Sequence, residues 1–412
     1  MEAAGNFEDR RAQARAHNSR GCRLAEAGDY RQAIAAFELA ILTDPDHADF
    51  YNNRGYARAA LSDFEGAIED CSKAIQLRPS FAAAFNNRGL ARLSVRQYDQ
   101  AAEDFELALH HNPELALAYL NRGMCRAALS DHESAIADFS HAIQRKPELA
   151  NAYHNRGFSR TALGDYPEAI ADYDVEISIL PQRALAHYNR GFVNLLRGEY
   201  SQATTDLSRA VELKPDLADG YFNRGEVWRG LGDYPRALED FSEGLRLSPN
   251  FALGYLRRGE CWLQLGDHEQ ALADFSELIR LEPERAAGYH QRGLVLLALG
   301  NNDLAAADFS EVVRLDPRHS SAFAGRGQAL AAMGDFDKAV IDHLESIRQR
   351  PRSSDAHAAF ASLWLTWPDP LMHNPRMALD LAERACELSA WEDPVCLAVL
   401  AQARTALGEA GG

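Results

Sequence analysis

The residues of this chain that could do chemistry come as a triplet. Asn53-Arg54-Gly55 returns as Asn87-Arg88-Gly89, Asn121-Arg122-Gly123, Asn155-Arg156-Gly157, Asn189-Arg190-Gly191 and Asn223-Arg224-Gly225, every 34 residues. Degenerate copies, Ser19-Arg20-Gly21, Arg257-Arg258-Gly259, Gln291-Arg292-Gly293 and Gly325-Arg326-Gly327, keep the same step. An asparagine amide carries both a donor and an acceptor, so it can pair with a peptide bond without reading its side chain. A guanidinium is a planar fork of donors suited to carboxylates and phosphates. A row of such residues could therefore hold a peptide backbone or an anion. Sixteen residues after the arginine stands an aspartate in nine copies, from Asp70 and Asp104 to Asp308 and Asp342, with Ala36 in the first. An acid that accompanies almost every arginine favours a repeated internal ion pair over an anion-binding stripe.

Other chemistries find no support. There is no Gly-rich phosphate loop, no metal-ligand spacing and no nucleophile-base signature, and the 14 histidines scatter over the repeat. His110-His111 is expected to face solvent. The six cysteines, Cys22, Cys71, Cys125, Cys261, Cys386 and Cys396, show no C-x-x-C pair and read as free buried thiols in a reducing compartment. No enzymatic role, cofactor or metal is expected. The formal net charge of −17 repels phosphate backbones and anionic lipid, which argues against nucleic acid and membrane surfaces as partners. Lysine is confined to Lys73, Lys146, Lys214 and Lys338. Residues 1–15 hold no apolar segment of a signal peptide, and no run is apolar enough for a membrane helix, so a cytoplasmic location is expected.

A fixed period of this length marks a stacked repeat array. With the recurring glycine at position 8, ten units run from residue 14 to 353. Position 8 is glycine, position 20 alanine (Ala33 to Ala339) and position 32 proline (Pro45 to Pro351) in all of them. Position 4 is aromatic or histidine, position 24 is aromatic in most, as in Phe37, Phe105 and Phe309, and a turn such as Gly164-Asp165-Tyr166 fills positions 15 to 17. The pattern predicts helix A over positions 2 to 14 and helix B over 18 to 31, the proline closing the second. Glycine and alanine let the axes approach, and the rings fill the space beside them. In an antiparallel hairpin of this length, positions summing to about 32 lie level. Position 7 therefore falls within a turn of position 23, which is the geometry of the expected ion pair.

The pattern resembles the tetratricopeptide repeat family in the aromatic at position 4, the glycine at 8, the Gly-Asp-Tyr turn, the alanine at 20, the aromatic at 24 and the proline at 32. It departs at position 7, where the family usually has an aliphatic residue and this chain has arginine, which places it in the family's Asn-Arg-Gly variety. The resemblance implies an all-α, right-handed α-solenoid of stacked antiparallel helix pairs that acts as a protein-interaction scaffold for a protein or peptide partner. Members commonly bind extended peptides in the concave groove, some through an asparagine ladder. A helical wheel puts position 6 opposite positions 4, 8 and 11, on the free face of helix A. Asn53, Asn87, Asn121, Asn155, Asn189 and Asn223, continued by Arg257 and Gln291, are then the candidate peptide-binding row. A helices about 10 Å apart meet a peptide rising about 3.3 Å per residue roughly every third residue. Phe158, Tyr188 and Phe192 are candidates for an apolar pocket in the same groove. A subclass of the family clamps a carboxylate with lysines on helix A, and no lysine occupies helix A here.

After Pro351 the period breaks. Ala358 to Leu365 reads as a helix A, an insertion follows from Thr366 through Pro370, Ala378 takes the position-20 role, and a last helix runs from about Val395 to Leu407. The expected organisation is a lead-in over 1–13, ten repeats over 14–353, and a diverged repeat with a capping helix over 354–412. Gly411-Gly412 ends just past a further turn, so the chain reads as a possible piece of something longer. The alternative to a peptide groove is accordingly a structural or regulatory scaffold segment of a larger multidomain protein.

Overall fold

Two adjacent residues set each turn inside a helix pair. The first, at position 15, takes the left-handed conformation: Gly28, Gly164, Gly198, Gly232, Gly266, Gly300 and Gly334 have φ between 75° and 88°. Glycine does this without steric cost, and it closes helix A. The second, beside it, is in six of the ten pairs an aspartate whose side chain caps helix B: Asp63 accepts from the Gly66 N–H at 3.0 Å and Asp131 from the Ser134 N–H at 3.2 Å. Helix A thus occupies positions 1 to 13 and helix B 17 to 30, each starting one residue earlier than the pattern predicts. At the far end of helix B the residue before proline leaves helical space, as Arg78 does at φ −140°, ψ 90°.

The computed structural model describes residues 2–369 and 372–408, with side chains from residue 8. Pro370 of the expected insertion and the closing Gly411-Gly412 lie outside them. All 23 elements among the described residues are α-helices. They form two compact units, Met1–Lys214 and Pro215–Gly412. The first unit holds six pairs: α1 (Glu2–Glu26) with α2 (Tyr30–Thr43), α3 (Ala48–Ala60) with α4 (Phe64–Leu77), and α5 (Ala82–Ser94) with α6 (Tyr98–His111). They continue with α7 (Ala116–Ala128) and α8 (His132–Arg145), α9 (Ala150–Leu163) and α10 (Tyr166–Ile179), and α11 (Ala184–Leu196) and α12 (Tyr200–Leu213). The stretch expected as a lead-in belongs to α1.

The second unit holds α13 (Ala218–Gly230) with α14 (Tyr234–Leu247), α15 (Ala252–Gln264) with α16 (His268–Leu281), and α17 (Ala286–Ala298) with α18 (Asn302–Leu315). The pairs α19 (Ser320–Ala332) and α20 (Phe336–Gln349), then α21 (Ser354–Thr366) and α22 (Pro375–Leu388), lead to a single closing helix, α23 (Pro394–Ala406). The last three helices share a core of Ala358, Ala361, Ala378, Leu379 and Val399, with Ala378 fully buried in its expected role. Trp367, in the insertion, stacks on Trp364 and on Phe336 at 5.3 and 4.9 Å.

Within each pair, positions 8 and 24 face one another. A Cβ added to Gly123 would stand 2.6 Å from the Phe139 ring, and one on Gly259 the same distance from Phe275. The glycine that costs helix stability is thus the one that admits the ring, and burying such a ring contributes on the order of 2 kcal/mol. Position 20 is fully buried throughout, from Ala33 to Ala339. The two helices of a pair touch there with no side chain larger than a methyl between them.

Candidate functional site

The arginines at position 7 lie in the seam between helices A and B, as their level predicts. Arg54 donates through Nε and Nη2 to the two oxygens of Asp70, at 2.9 and 2.6 Å. The same two-pronged pairing joins Arg122 to Asp138 at 2.9 and 2.7 Å, and Arg258 to Asp274 at 2.9 and 2.6 Å. All nine aspartates from Asp70 to Asp342 are buried. The guanidinium also lies over the ring at position 4 of its own helix, Arg122 at 5.7 Å from the centre of Tyr119. Its third nitrogen reaches back to the preceding helix B: Arg88 Nη1 donates to Ser72 and Arg292 Nη1 to Ser276, both at 3.1 Å. In the first unit a second arginine, one helical turn on, shares the aspartate, as Arg126 does with Asp138 at 2.8 Å. Hydrogen bonding to the aspartate holds Arg54, Arg292 and Arg326 above the usual guanidinium range against the opposing pull of burial. Burial pushes Asp274 up, with Arg258 pulling it back. With donors committed to carboxylate and serine, these arginines are structural cross-links within and between pairs, not an anion-binding stripe.

Position 6 is half-buried at seven of the eight candidate positions, and Asn121 is buried. The Asn53 amide donates to Asn18 at 3.0 Å and the Asn87 amide to Asn52 at 3.0 Å, each on the preceding helix A. The Asn155 amide donates to the Asn151 carbonyl of its own helix at 2.7 Å. Asn189, in the first unit, and Asn223 and Gln291, in the second, are half-buried at the equivalent place. Arg257 pairs with Glu226 and Glu260, at 3.2 and 3.0 Å. Of the three candidate rings, Phe158 is 55% exposed, while Tyr188 and Phe192 stack near-parallel with centres 6.4 Å apart.

Two cavities open at matching repeat positions on this face, one in each unit. That in the first unit, about 210 Å³, is lined by Cys22, Ala25, Glu26 and Asn53, with Phe37 and Tyr56. That in the second unit, about 350 Å³, lies between α19, α20 and α21. In both, positions 9 and 12 of one helix A and positions 6 and 9 of the next form the walls, and the position-24 side chain is part of the lining. Two further cavities in the first unit, about 340 and 440 Å³, adjoin Arg190 and Asp206 on the helix B side. There Asp174 stands where serine stands in other pairs and takes an Arg190 donor.

Other reactive groups are absorbed by packing. Burial pushes the Cys71, Cys125 and Cys261 thiols up to about 12, which leaves them protonated and unreactive near neutral pH. All six cysteines are free, five of them buried and Cys22 half-buried. His110 and His111 are exposed as expected, with the His111 ring stacked on Phe85. Among the described residues no His, Cys, Asp or Glu group is arranged to hold a metal, and no helix is long and apolar enough to cross a membrane. Sequence reasoning missed Glu176. It is fully buried at position 27, where most pairs carry a small residue, and it is hydrogen-bonded to His154 at 3.0 Å and paired with Arg183 at 3.1 Å. It also missed the shared second arginine and the cavity beside His343. Each carried a signal: an acid at a small-residue position, an arginine at position 11 in the units of Arg58 to Arg160, and a histidine where a ring is expected.

The sequence pattern of the family described as "Tetratricopeptide repeat" matches residues 18–80, 86–150, 222–286 and 290–360, and one described as "TPR repeat" matches 195–228. The chain is similar in fold to several solved structures. YrrB, described as a TPR protein with an unusual peptide-binding site, is 24% identical, covers 46% of this chain and 97% of its own, and gives a TM-score of 0.41. The C-terminal part of a TPR repeat-containing protein from Cytophaga hutchinsonii is 18% identical, covering 57% and 97%, with a TM-score of 0.49. The APC/C hetero-tetramer Cut9-Hcn1 is 15% identical, covering 98% and 91%, with a TM-score of 0.45. No curated protein matches the chain.

Proposed function

The chain belongs to the tetratricopeptide repeat family, whose members are protein-interaction scaffolds, and on that premise we propose that it binds an extended peptide segment of a partner protein along the position-6 face of its A helices. Asn53, Asn87, Asn121, Asn155 and Asn189 form the row in the first unit, and Asn223, Arg257 and Gln291 form it in the second. The observation that supports this reading most is that a cavity opens on that face in each unit, at matching repeat positions, one of them with Asn53 in its wall. Asparagine there can meet a peptide bond with both a donor and an acceptor. The stacked Tyr188 and Phe192 rings and the exposed Phe158 offer apolar surface beside the row. Ten regular units over 14–353 followed by a diverged cap are the organisation proposed for this task. The free thiols support the cytoplasm as its compartment.

A second reading has its own observation. The Asn53 and Asn87 amides already bond the preceding A helix, so the row could serve to order the stack. Screening a peptide library against the wild-type chain and against Asn155→Ala/Asn189→Ala, with thermal melts of both, separates the two. Binding lost at an unchanged melt supports the peptide row. A collapsed melt supports stack ordering. A wild-type chain that binds no peptide overturns the groove reading.

A further inference from the structure

The cavity of about 350 Å³ in the second unit has a histidine where most pairs place an aromatic ring. Its lining is Gln328, Ala331 and Ala332 from α19, Phe336 and His343 from α20, and Ala359, Ser362, Leu363 and Thr366 from α21. His343 stands at position 24, which in six of the other nine pairs is a phenylalanine packed against the position-8 glycine. It keeps that packing: a Cβ on Gly327 would lie 3.0 Å from its Nε2, and its ring stacks on Phe360 at 5.6 Å. The side chain is only 1% exposed, and its Nδ1 has no hydrogen-bond partner. Burial lowers its pKa to about 4, so the ring is neutral at pH 7, with one nitrogen a donor and the other an acceptor. A buried polar atom left unpaired costs stability, and a core phenylalanine would have avoided that cost. Position 6 of α21, in the cavity wall, is Ala359 rather than the amide found in most earlier units.

We infer that this cavity is a side-chain pocket for a tyrosine of the bound partner, with the phenol ring between the alanines, Leu363 and Phe336 and the hydroxyl at the His343 imidazole. None of the nine lining residues carries a formal charge at neutral pH, which disfavours a carboxylate or an ammonium group as the occupant. A cavity of about 150 Å³ already admits benzene, so a phenol ring fits this one with room for the Cβ end. The neutral imidazole in the wall favours an occupant with a polar tip, which phenylalanine and leucine lack. Gln328, Ser362 and Thr366 supply the polar groups for the adjoining peptide backbone. The pocket rests on the peptide-binding reading for its natural ligand, but a phenol derivative alone suffices to test it, without the asparagine row.

The probe is N-acetyl-tyrosine amide, titrated into the full chain and compared with N-acetyl-phenylalanine amide. Binding is followed by chemical-shift changes at the amides of Gln328, Ala359 and Ser362. The expected result is saturable shifts there and a roughly fivefold preference for tyrosine, the size of one net hydrogen bond. His343→Phe, which restores the ring common at this position and so keeps the fold, should abolish the preference. Ala359→Leu should abolish binding of both. A wild-type chain whose amides do not shift, or a His343→Phe chain that keeps the tyrosine preference, overturns the proposal. Tyrosine binding that persists when peptide binding by the asparagine row has failed leaves the pocket standing and removes only the row.

Discussion

Replacing Asp138 by alanine removes the acceptor of three hydrogen bonds at once: two from Arg122, at 2.9 and 2.7 Å, and one from Arg126, at 2.8 Å. The Asp138 side chain is 1% exposed, and the Arg122 and Arg126 side chains 15% and 28%. Arg126 can turn toward water when released, whereas Arg122 stays over the Tyr119 ring without its two-pronged partner. The cost should therefore fall in the range of a broken buried pair, about 3–5 kcal/mol. Arg122→Ala should cost less, because Arg126 remains to neutralise the carboxylate. The double variant Arg122→Ala/Asp138→Ala should recover about 2 kcal/mol of coupling. Asp308 provides an internal comparison, since position 11 of its pair is Leu296 and Arg292 pairs with it at 2.8 and 2.7 Å. Asp308→Ala should be milder than Asp138→Ala by about 1.5 kcal/mol, the lower end of the net worth of one charged hydrogen bond. A long array need not unfold in one step, so the assay is native-state hydrogen exchange in α7 and α8, or in α17 and α18. A coupling under about 0.5 kcal/mol between Arg122 and Asp138 would refute the cross-link reasoning, because distant, independent sites add to within that margin.

Gly123→Ala gains about 1 kcal/mol of helix propensity but drives a methyl to 2.6 Å from Phe139, where overpacking costs about 1–3 kcal/mol. A net loss in urea denaturation is expected, and a more stable variant would show that the ring yields freely. Ser62, Arg96 and Ser130 hold the left-handed turn at φ 65°, 61° and 65°. Changing all three to glycine should stabilise the first unit by about 0.5 kcal/mol each, the left-handed strain relieved less the added chain entropy, read as a higher melting temperature. His343 has a folded pKa of about 4, below its ordinary 6.5, so the unfolded chain binds the extra proton between those values. Its stabilising contribution is full above pH 6.5 and is lost as pH falls toward 4. From pH 7 to 5 the loss should reach about 2 kcal/mol, and comparing the melts of His343→Phe with wild type isolates it from His290, which burial and His319 also lower to about 4.

The 34-residue period by itself decided the helix pairs, the antiparallel level and the ion-pair seam. A side chain recurring every 34 residues must meet the same neighbours each time, so one wheel and one hairpin register place the arginine beside the aspartate and the glycine beneath the ring. The helix boundaries lie one residue earlier than the pattern predicts, with the position-15 residue already in left-handed space in every one of the ten pairs. Position 6 was legible as a face of helix A but not as an environment. Whether an amide such as Asn53 reaches a neighbour or solvent depends on the spacing of successive A helices, which only the packed stack sets. The same holds where repeats deviate: Glu176, Asp174 and His343 are visible as exceptions in the sequence. Arg183 beside Glu176, at the N-cap of the next pair, the Arg190 that Asp174 takes and the α21 wall of the space beside His343 are brought within reach only when the helices stack.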